Sequence, residues 1–244
     1  MVKDFLKDQK LIWLPAIMGG CLVLSVIIWS AVFYQTRDSG DTLSVTGSAS
    51  KEVVSDNAKF SGNFSRIVKL SALKTGYGEM TSDLAIVKKF FKDQGISDSD
   101  LIISTVNMYQ NYKQNDQSEI EYTLTQNVEV SLNDIQKITT LAQNTQKLIN
   151  QGVIFSTNPV EYYYSKLPEL RVSLLSDAVK DAKARAESLA KSTGNKVGGL
   201  KSAASGVVQV LPSNSLEVSD YGTYDTTKIN KTVMVTVKAA FNLK

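Results

Sequence analysis

The feature that most constrains this chain is an uncharged run near its N-terminus. No charged side chain occurs from Leu11 to Tyr34, a stretch of 24 residues. At about 1.5 Å per residue, a helix of this length reaches the roughly 30 Å of a bilayer's hydrocarbon core. Trp13 lies near one end of the run, Trp29 and Tyr34 lie near the other, and Pro15 falls in the first turn. Because aromatic rings favour membrane interfaces and proline is tolerated at a helix start, the run predicts one transmembrane helix.

The charges on either side of the run predict its orientation. Lys3, Lys7 and Lys10 precede it, whereas only Arg37 follows it closely. By the positive-inside rule, the N-terminus is expected in the cytoplasm and the rest of the chain in the periplasm or outside the cell. The predicted layout is a cytoplasmic tail (1–10), a membrane anchor (11–34), a short polar tether (35–42) and an extracytoplasmic domain (43–244).

Two other interpretations of the run stay open. A cleaved signal peptide is one, although its apolar region is normally shorter and ends in a small-residue cleavage site. A lipoprotein modified at Cys21 is the other, although a mostly apolar sequence continues after that residue.

The composition argues against several classes of enzyme. The chain has no histidine, and its one cysteine lies in the apolar run, which excludes histidine triads, intrachain disulfides and cysteine-rich metal sites. The net charge of +3 is too small to attract nucleic acid. We therefore expect no enzymatic activity, no metal, no organic cofactor and no nucleic-acid partner. A Ser/Lys hydrolase stays as a less favoured alternative, because lysine could activate a serine without histidine.

The polarity pattern after the tether predicts an α+β domain. Seven strands and three helices are expected in the order ββαββαβαββ, with the helices covering one face of a largely antiparallel sheet. The first two strands, and the next two, are expected to form hairpins. The predicted strands are Leu43–Val54, Ala58–Val68, Leu101–Tyr112, Glu121–Ser131, Val153–Tyr164, Lys196–Leu211 and Thr232–Leu243.

Each predicted helix has a stripe of mostly apolar residues spaced by three or four, with a glycine after its end. The first carries Leu73, Tyr77, Met80, Leu84, Val87 and Phe91, and ends before Gly95. The second begins near Asn133, carries Ile135, Ile138, Ala142, Thr145, Leu148 and Ile149, and ends before Gly152. The third begins at Pro168, carries Val172, Leu175, Val179, Ala182, Ala186 and Leu189, and ends before Gly194.

Three consecutive tyrosines, Tyr162, Tyr163 and Tyr164, are the unusual feature of the fifth strand. Alternation along a strand would expose either Tyr163 or its two neighbours, so at least one large ring is expected outside the subunit core. One interpretation is a cross-strand pair on the sheet surface. The other is a contact between subunits, since tyrosine is favoured in interface cores.

Several segments in this order resemble the SIMPL-domain family of bacterial envelope proteins, over about residues 43–243. The opening strand Leu43–Gly47 is similar to the family's first strand, and Ser55-Asp56 stands where a Pro-Asp pair is usual. Gly95–Leu101 (GISDSDL) is similar to the family's link from helix to strand. The alanine-rich segment Ala178–Ala190 (AVKDAKARAESLA), followed by Gly194, is the most specific match.

The resemblance implies a two-layer α+β subunit that associates into large ring- or channel-like homo-oligomers in the cell envelope. It also implies a role in envelope integrity or stress resistance, and it brings no accepted catalytic residues. Combined with the predicted anchor, it leads us to expect at least about eight subunits in a closed assembly. The expected partners are further copies of the chain and the lipid bilayer. The alternative is a monomeric or dimeric envelope module that binds a protein or a small ligand.

Overall fold

The computed structural model describes residues 17–33, 42–111, 119–215 and 219–244. Residues 17–33 form a helix, α1, which contains Trp29 of the predicted anchor. Trp13, Pro15 and Tyr34 lie outside the described residues. Within the described ranges, no helix combines the length and the apolar character needed to cross a membrane. The transmembrane segment over 11–34 therefore stays a prediction.

The chain divides into two compact units. Among the described residues, the larger comprises 47–111, 119–181, 205–215 and 219–237, and the smaller comprises 17–33, 42–46, 182–204 and 238–244.

A six-stranded antiparallel sheet lies entirely in the larger unit. Its strands are β2 (Asn57–Lys69), β3 (Leu101–Ile103), β4 (Asn107–Asn111), β5 (Glu121–Leu132), β6 (Phe155–Thr157) and β7 (Glu161–Tyr163). Their order is β3-β5-β2-β6, with β4 also paired to β5 and β7 also paired to β2. The same part of the chain contains the helices α2 (Leu73–Asp93), α3 (Ile135–Gln143) and α4 (Gln146–Asn150). Residues from these helices share one buried cluster with the sheet.

A second sheet consists of β1 (Thr42–Val54), β8 (Val197–Ser205), β9 (Gln209–Pro212), β10 (Thr223–Tyr224) and β11 (Asn230–Leu243). Its order is β1-β11-β9-β10, and β8 also pairs with β11. In this sheet β9 is antiparallel to β11 and parallel to β10. The last helix is α5 (Leu167–Ser192), whose Leu170 and Leu174 share a buried cluster with Val233 and Val235.

The α+β class is confirmed, but the single seven-stranded sheet is wrong. The described residues form eleven strands in two sheets. The first predicted hairpin is also wrong, because β1 pairs with β11 whereas β2 pairs with β5. At the turn between them, the Ser55 N–H donates to the Ile229 carbonyl at 2.9 Å and the Asp56 N–H donates to the Tyr163 carbonyl at 3.0 Å. The Ser55 bond leads to the residue just before β11, and the Asp56 bond leads to β7. The chain therefore passes from the second sheet to the six-stranded sheet between these two residues.

The second predicted hairpin is confirmed, with a bulge in its first strand. Ile103 lies opposite Val128 and Asn107 lies opposite Thr125, so three residues on one strand face two on the other. The Ser104 side chain completes the bonding at this point, because its Oγ accepts the Asn127 N–H at 2.9 Å. Such a bulge ends regular pairing and increases the local twist.

The fifth predicted strand is also interrupted. β6 and β7 both pair with β2, and the segment between them contains Pro159. Thr157 lies opposite Gly62 and Glu161 lies opposite Lys59, which again leaves three residues facing two. Proline removes a donor from the ladder and is confined to sheet edges and bulges.

Helix α2 follows its predicted stripe only in part. Met80, Val87 and Phe91 are buried as predicted, but Tyr77 is 41% exposed. The reason is a close approach at Gly76, where a Cβ would lie 2.7 Å from a methyl carbon of Val68. Because the helix presents Gly76 to the sheet, the next residue points away from it.

The second predicted helix is divided into α3 and α4. The N-cap is Asp134, whose side chain accepts the Lys137 N–H at 3.0 Å, and not Asn133. Ile138 and Leu148 are buried as predicted, but Ile149 is exposed. The break at Asn144 and Thr145 changes the phase of the helix, so one continuous periodicity does not describe both parts.

The buried stripe of α5 also differs from the predicted one. Ala182 and Ala186 are fully buried as predicted, but Val172 and Leu189 are exposed. The buried residues advance strictly by four, a row that is inclined to the helix axis and drifts around it. They are Leu170, Leu174, Ala178, Ala182, Ala186 and Ala190.

A larger side chain should not fit on this row. Ala182→Leu and Ala186→Leu are each expected to lower the free energy of unfolding by about 1 to 3 kcal/mol through overpacking. Lys183→Leu, on the exposed side of the same turn, is the matched control and is expected to change it by less than about 0.5 kcal/mol. Urea denaturation of the three variants provides the measurement, and equal tolerance at the three positions would contradict the assigned face.

Candidate functional site

The most unusual side chain of the larger unit is a fully buried lysine. Lys231 lies on the β11 face that carries Val233 and Val235, because side chains two apart in a strand point the same way. Its Nζ donates to the backbone carbonyl of Asp225 and lies 3.6 Å from Oδ2 of the same residue. The ammonium also lies 5.9 Å from the centre of the Tyr224 ring. Burial lowers the pKa of Lys231, and the Asp225 carboxylate offsets part of that effect.

Asp225 organises the loop that precedes β11. Its Oδ1 accepts the Thr227 hydroxyl at 2.7 Å and the Thr227 N–H at 3.0 Å, and its Oδ2 accepts the Lys228 N–H at 3.2 Å. Burial raises the pKa of Asp225, but the hydrogen bonds from Thr227 and Lys228 and the Lys231 charge outweigh it, so the net pKa is lowered. The carboxylate is therefore stabilised as an anion beside the buried ammonium.

A tyrosine pair adjoins this ion pair. The Tyr163 and Tyr224 rings lie 5.8 Å apart with a tilt of 35°. The Tyr163 hydroxyl donates to Glu161 Oε2 at 3.1 Å, and both burial and this hydrogen bond raise the pKa of Tyr163. We call Tyr163, Tyr224, Asp225 and Lys231 the lysine–tyrosine cluster.

All three tyrosines of the predicted contact segment are half-buried and have partners within the chain. Tyr163 contacts Tyr224, the Tyr162 hydroxyl lies 3.3 Å from Thr139 Oγ1, and the Tyr164 N–H donates to the Tyr224 hydroxyl at 3.1 Å. Simple alternation between a buried and an exposed ring does not describe them. Their role in a subunit contact stays a prediction.

Asp56 connects the sheet-changing turn to the start of α5. Its carboxylate accepts the Ser165 N–H and the Ser165 hydroxyl, both at 2.7 Å. Burial raises the pKa of Asp56, but these two bonds outweigh it and lower the net pKa. The neighbouring Ser55 hydroxyl is buried, and among the described residues it has no hydrogen-bond partner.

A groove of about 410 Å³ borders the loop before β11. Tyr162, Pro212 and residues 227–230 line it, together with Ser213. Its lining offers backbone and hydroxyl groups beside apolar surface, which suits a small ligand or a side chain of a partner protein.

Sequence reasoning missed the buried ion pair. The predicted alternation in the last strand began at Val233, and its extension back by two residues would have included Lys231. Nothing local marked Tyr224 or Asp225, which lie between the last two predicted strands.

The fold defines an α+β protein built on largely antiparallel sheets, in which the fully buried Lys231 pairs with Asp225. The chain matches the family model SIMPL, described as a protein of unknown function (DUF541), over residues 43–241. It therefore belongs to the SIMPL family, and the resemblance found in the sequence is confirmed. A comparison with curated proteins found no match. Membership suggests a protein of the envelope type.

Proposed function

We propose that this chain is a non-enzymatic, membrane-anchored envelope protein. Its SIMPL domains assemble into a ring- or channel-like homo-oligomer of at least about eight subunits that supports envelope integrity or stress resistance. The observation that carries the anchoring is the character of α1. Large apolar side chains are exposed all along it, including Leu22, Ile27 and Trp29. A helix that is apolar all round is stable when it is buried in protein or in lipid.

Anchoring favours assembly. A short tether confines the domains to a layer above the bilayer, which raises their effective concentration and strengthens modest lateral contacts. Such contacts usually close into cyclic symmetry when they do not extend into filaments. With every anchor pointing the same way, a ring whose axis is normal to the membrane satisfies this geometry.

A second candidate function is a monomeric or dimeric envelope module that binds a protein or a small ligand. The groove of about 410 Å³ beside Tyr162 offers such a module a concave surface.

The mass of the particle separates the two functions. We expect full-length protein extracted in mild detergent to sediment at eight or more times the mass of the 26.7 kDa chain. A monomer or a dimer would reject the ring and favour the binding module.

The anchoring is tested separately. Protease added to spheroplasts should digest the domain and leave an anchor fragment. Protection of the domain, or a mature chain that starts after Tyr34, would reject the anchored topology.

A further inference from the structure

The two sheets differ in their edges. In the six-stranded sheet, one edge is interrupted by the bulge between β3 and β4, and the other by Pro159 between β6 and β7. Bulges and prolines are the devices with which proteins stop a sheet from pairing with another chain. Neither edge of this sheet is therefore suited to pairing with a strand of another chain.

The two long strands at the edges of the other sheet, β1 and β8, lack these interruptions along their own length, and residues 206–208 separate β8 from β9. β1 runs for 13 residues and β8 for nine, and neither contains proline. Among the described residues, β11 is the only strand that pairs with either of them. Residues 199–205 of β8 are all exposed, and Lys201 is the one charged residue in that strand. Long, continuous edges of this kind are templates for pairing with another chain.

The two edge strands run in the same direction. Lys196 and Lys244 exchange both backbone hydrogen bonds, at 2.9 and 2.8 Å, so β8 is antiparallel to β11. The Ser55 N–H, just after β1, bonds to the carbonyl of Ile229, just before β11, so β1 is antiparallel to β11 as well. β1 and β8 are therefore parallel to each other on opposite sides of β11.

Part of β1 is already occupied. The Ser48 N–H donates to the Asp181 carboxylate of α5 at 2.8 Å. The first part of the strand, Thr42–Thr46, precedes this contact, and its residues Thr42, Ser44 and Thr46 are exposed.

We propose that the outer edge of β8 in one copy pairs, in parallel, with the first part of β1 in the next copy. This inference rests on the proposed self-assembly and names its contact. The contact is heterologous, since it joins two different surfaces, and each copy uses both of them, as a closed ring requires. The affinity comes from main-chain hydrogen bonds, as in other cases of strand addition. The second sheet then continues from one subunit to the next around the ring.

A pair of proline variants tests the β8 edge. Because Lys196 bonds to β11 and directions alternate along a strand, the Gly198 N–H faces β11 and the Gly199 N–H faces outward. A Cβ at Gly199 would meet nothing within 4 Å, whereas one at Gly198 would lie 3.1 Å from the Asn242 carbonyl oxygen. Gly199→Pro is expected to reduce the full-length particle to monomers with an unchanged circular-dichroism spectrum. Gly198→Pro, the matched control, is expected to disturb the subunit itself.

A cross-linking experiment gives an independent readout that does not depend on the folding of a proline variant. In a Cys21→Ser background, one protein carries cysteine at Ser44 and the other at Lys201, and the two are assembled together. Neighbouring strands lie within the Cα separation that a disulfide spans. We expect a disulfide-linked dimer only in the mixture, and we would repeat the test with Thr42, Thr46 and Ala203 to cover other registers.

The outcomes separate the two proposals. A wild-type monomer in detergent would end both the ring and this contact. A wild-type ring with no cross-link in any combination, or with unchanged mass in Gly199→Pro, would overturn the edge contact and leave the ring. Dimers formed by the Lys201→Cys protein alone would show a two-fold β8 contact, which also overturns the proposed one.

Discussion

Replacing Lys231 with methionine is expected to lower the free energy of unfolding by about 3 to 5 kcal/mol, because it leaves the Asp225 carboxylate without its buried cation. Methionine fills the space of the lysine chain, so the loss reports the charge and not a cavity. The remaining partners of Asp225 are the Thr227 hydroxyl and the N–H groups of Thr227 and Lys228. The measurement is urea denaturation of the full-length protein in detergent.

Two further variants make this test specific. Lys180→Met removes an exposed partner of Asp177, 2.9 Å away, and is expected to cost less than about 1 kcal/mol. Lys231→Met combined with Asp225→Asn removes both charges, and we expect it to recover much of the stability lost in the single variant. A neutral single variant would show that the buried ammonium does not stabilise the loop before β11.

The second large effect is expected from Arg66→Met, at about 3 kcal/mol of lost stability. The Arg66 guanidinium of β2 donates to both Asp83 oxygens of α2, at 2.7 Å each, and this raises the pKa of Arg66. The Asp83 carboxylate is buried, whereas Arg66 keeps some access to water, which places the effect at the lower end of the range for buried pairs. Without Arg66, the buried Asp83 carboxylate loses both of these hydrogen bonds, and α2 loses its ion pair with the sheet.

Arg66→Lys is the informative partner of that variant. It keeps the charge but cannot reproduce the planar two-bond geometry, so we expect an intermediate loss. Lys89→Met breaks the exposed pair with Asp93, at 2.6 Å, and serves as the surface control. An Arg66→Met variant no less stable than Lys89→Met would contradict the importance of the pair.

The C-terminal ends of the helices could be predicted because the residues that end a helix are local to it. Gly95, Gly152 and Gly194 all adopt positive φ angles, of 75°, 84° and 78°, which glycine adopts with little strain. The same holds for the alternation of β11, where Val233, Val235 and Val237 are buried. These features depend on residues within one or two turns of each other, so the sequence carries them directly.

The predicted contact segment illustrates the limit of such reasoning. The run of Tyr162, Tyr163 and Tyr164 is visible in the sequence, but the partner of Tyr163 is Tyr224, some sixty residues later. Lys231 likewise lies just before the predicted last strand, and only the tertiary structure shows that it is buried and paired with Asp225. A polar cluster assembled from distant segments leaves no periodic signal in any one of them.

By itself, the sequence determined the α+β class, the glycines that follow the helices, the second hairpin and membership of the SIMPL family. The tertiary structure alone decided that β1 and β2 belong to different sheets, that the buried row of α5 advances by four, and that a lysine is buried in β11. The physical reason is that periodicity indicates which side of an element is apolar. Strand pairing depends on hydrogen bonds between segments that are distant in the sequence, and periodicity within one segment does not indicate them. At Ser55 and Asp56, two adjacent N–H groups donate to the carbonyls of Ile229 and Tyr163, which belong to distant segments of the chain. The chain passes from one sheet to the other at this point.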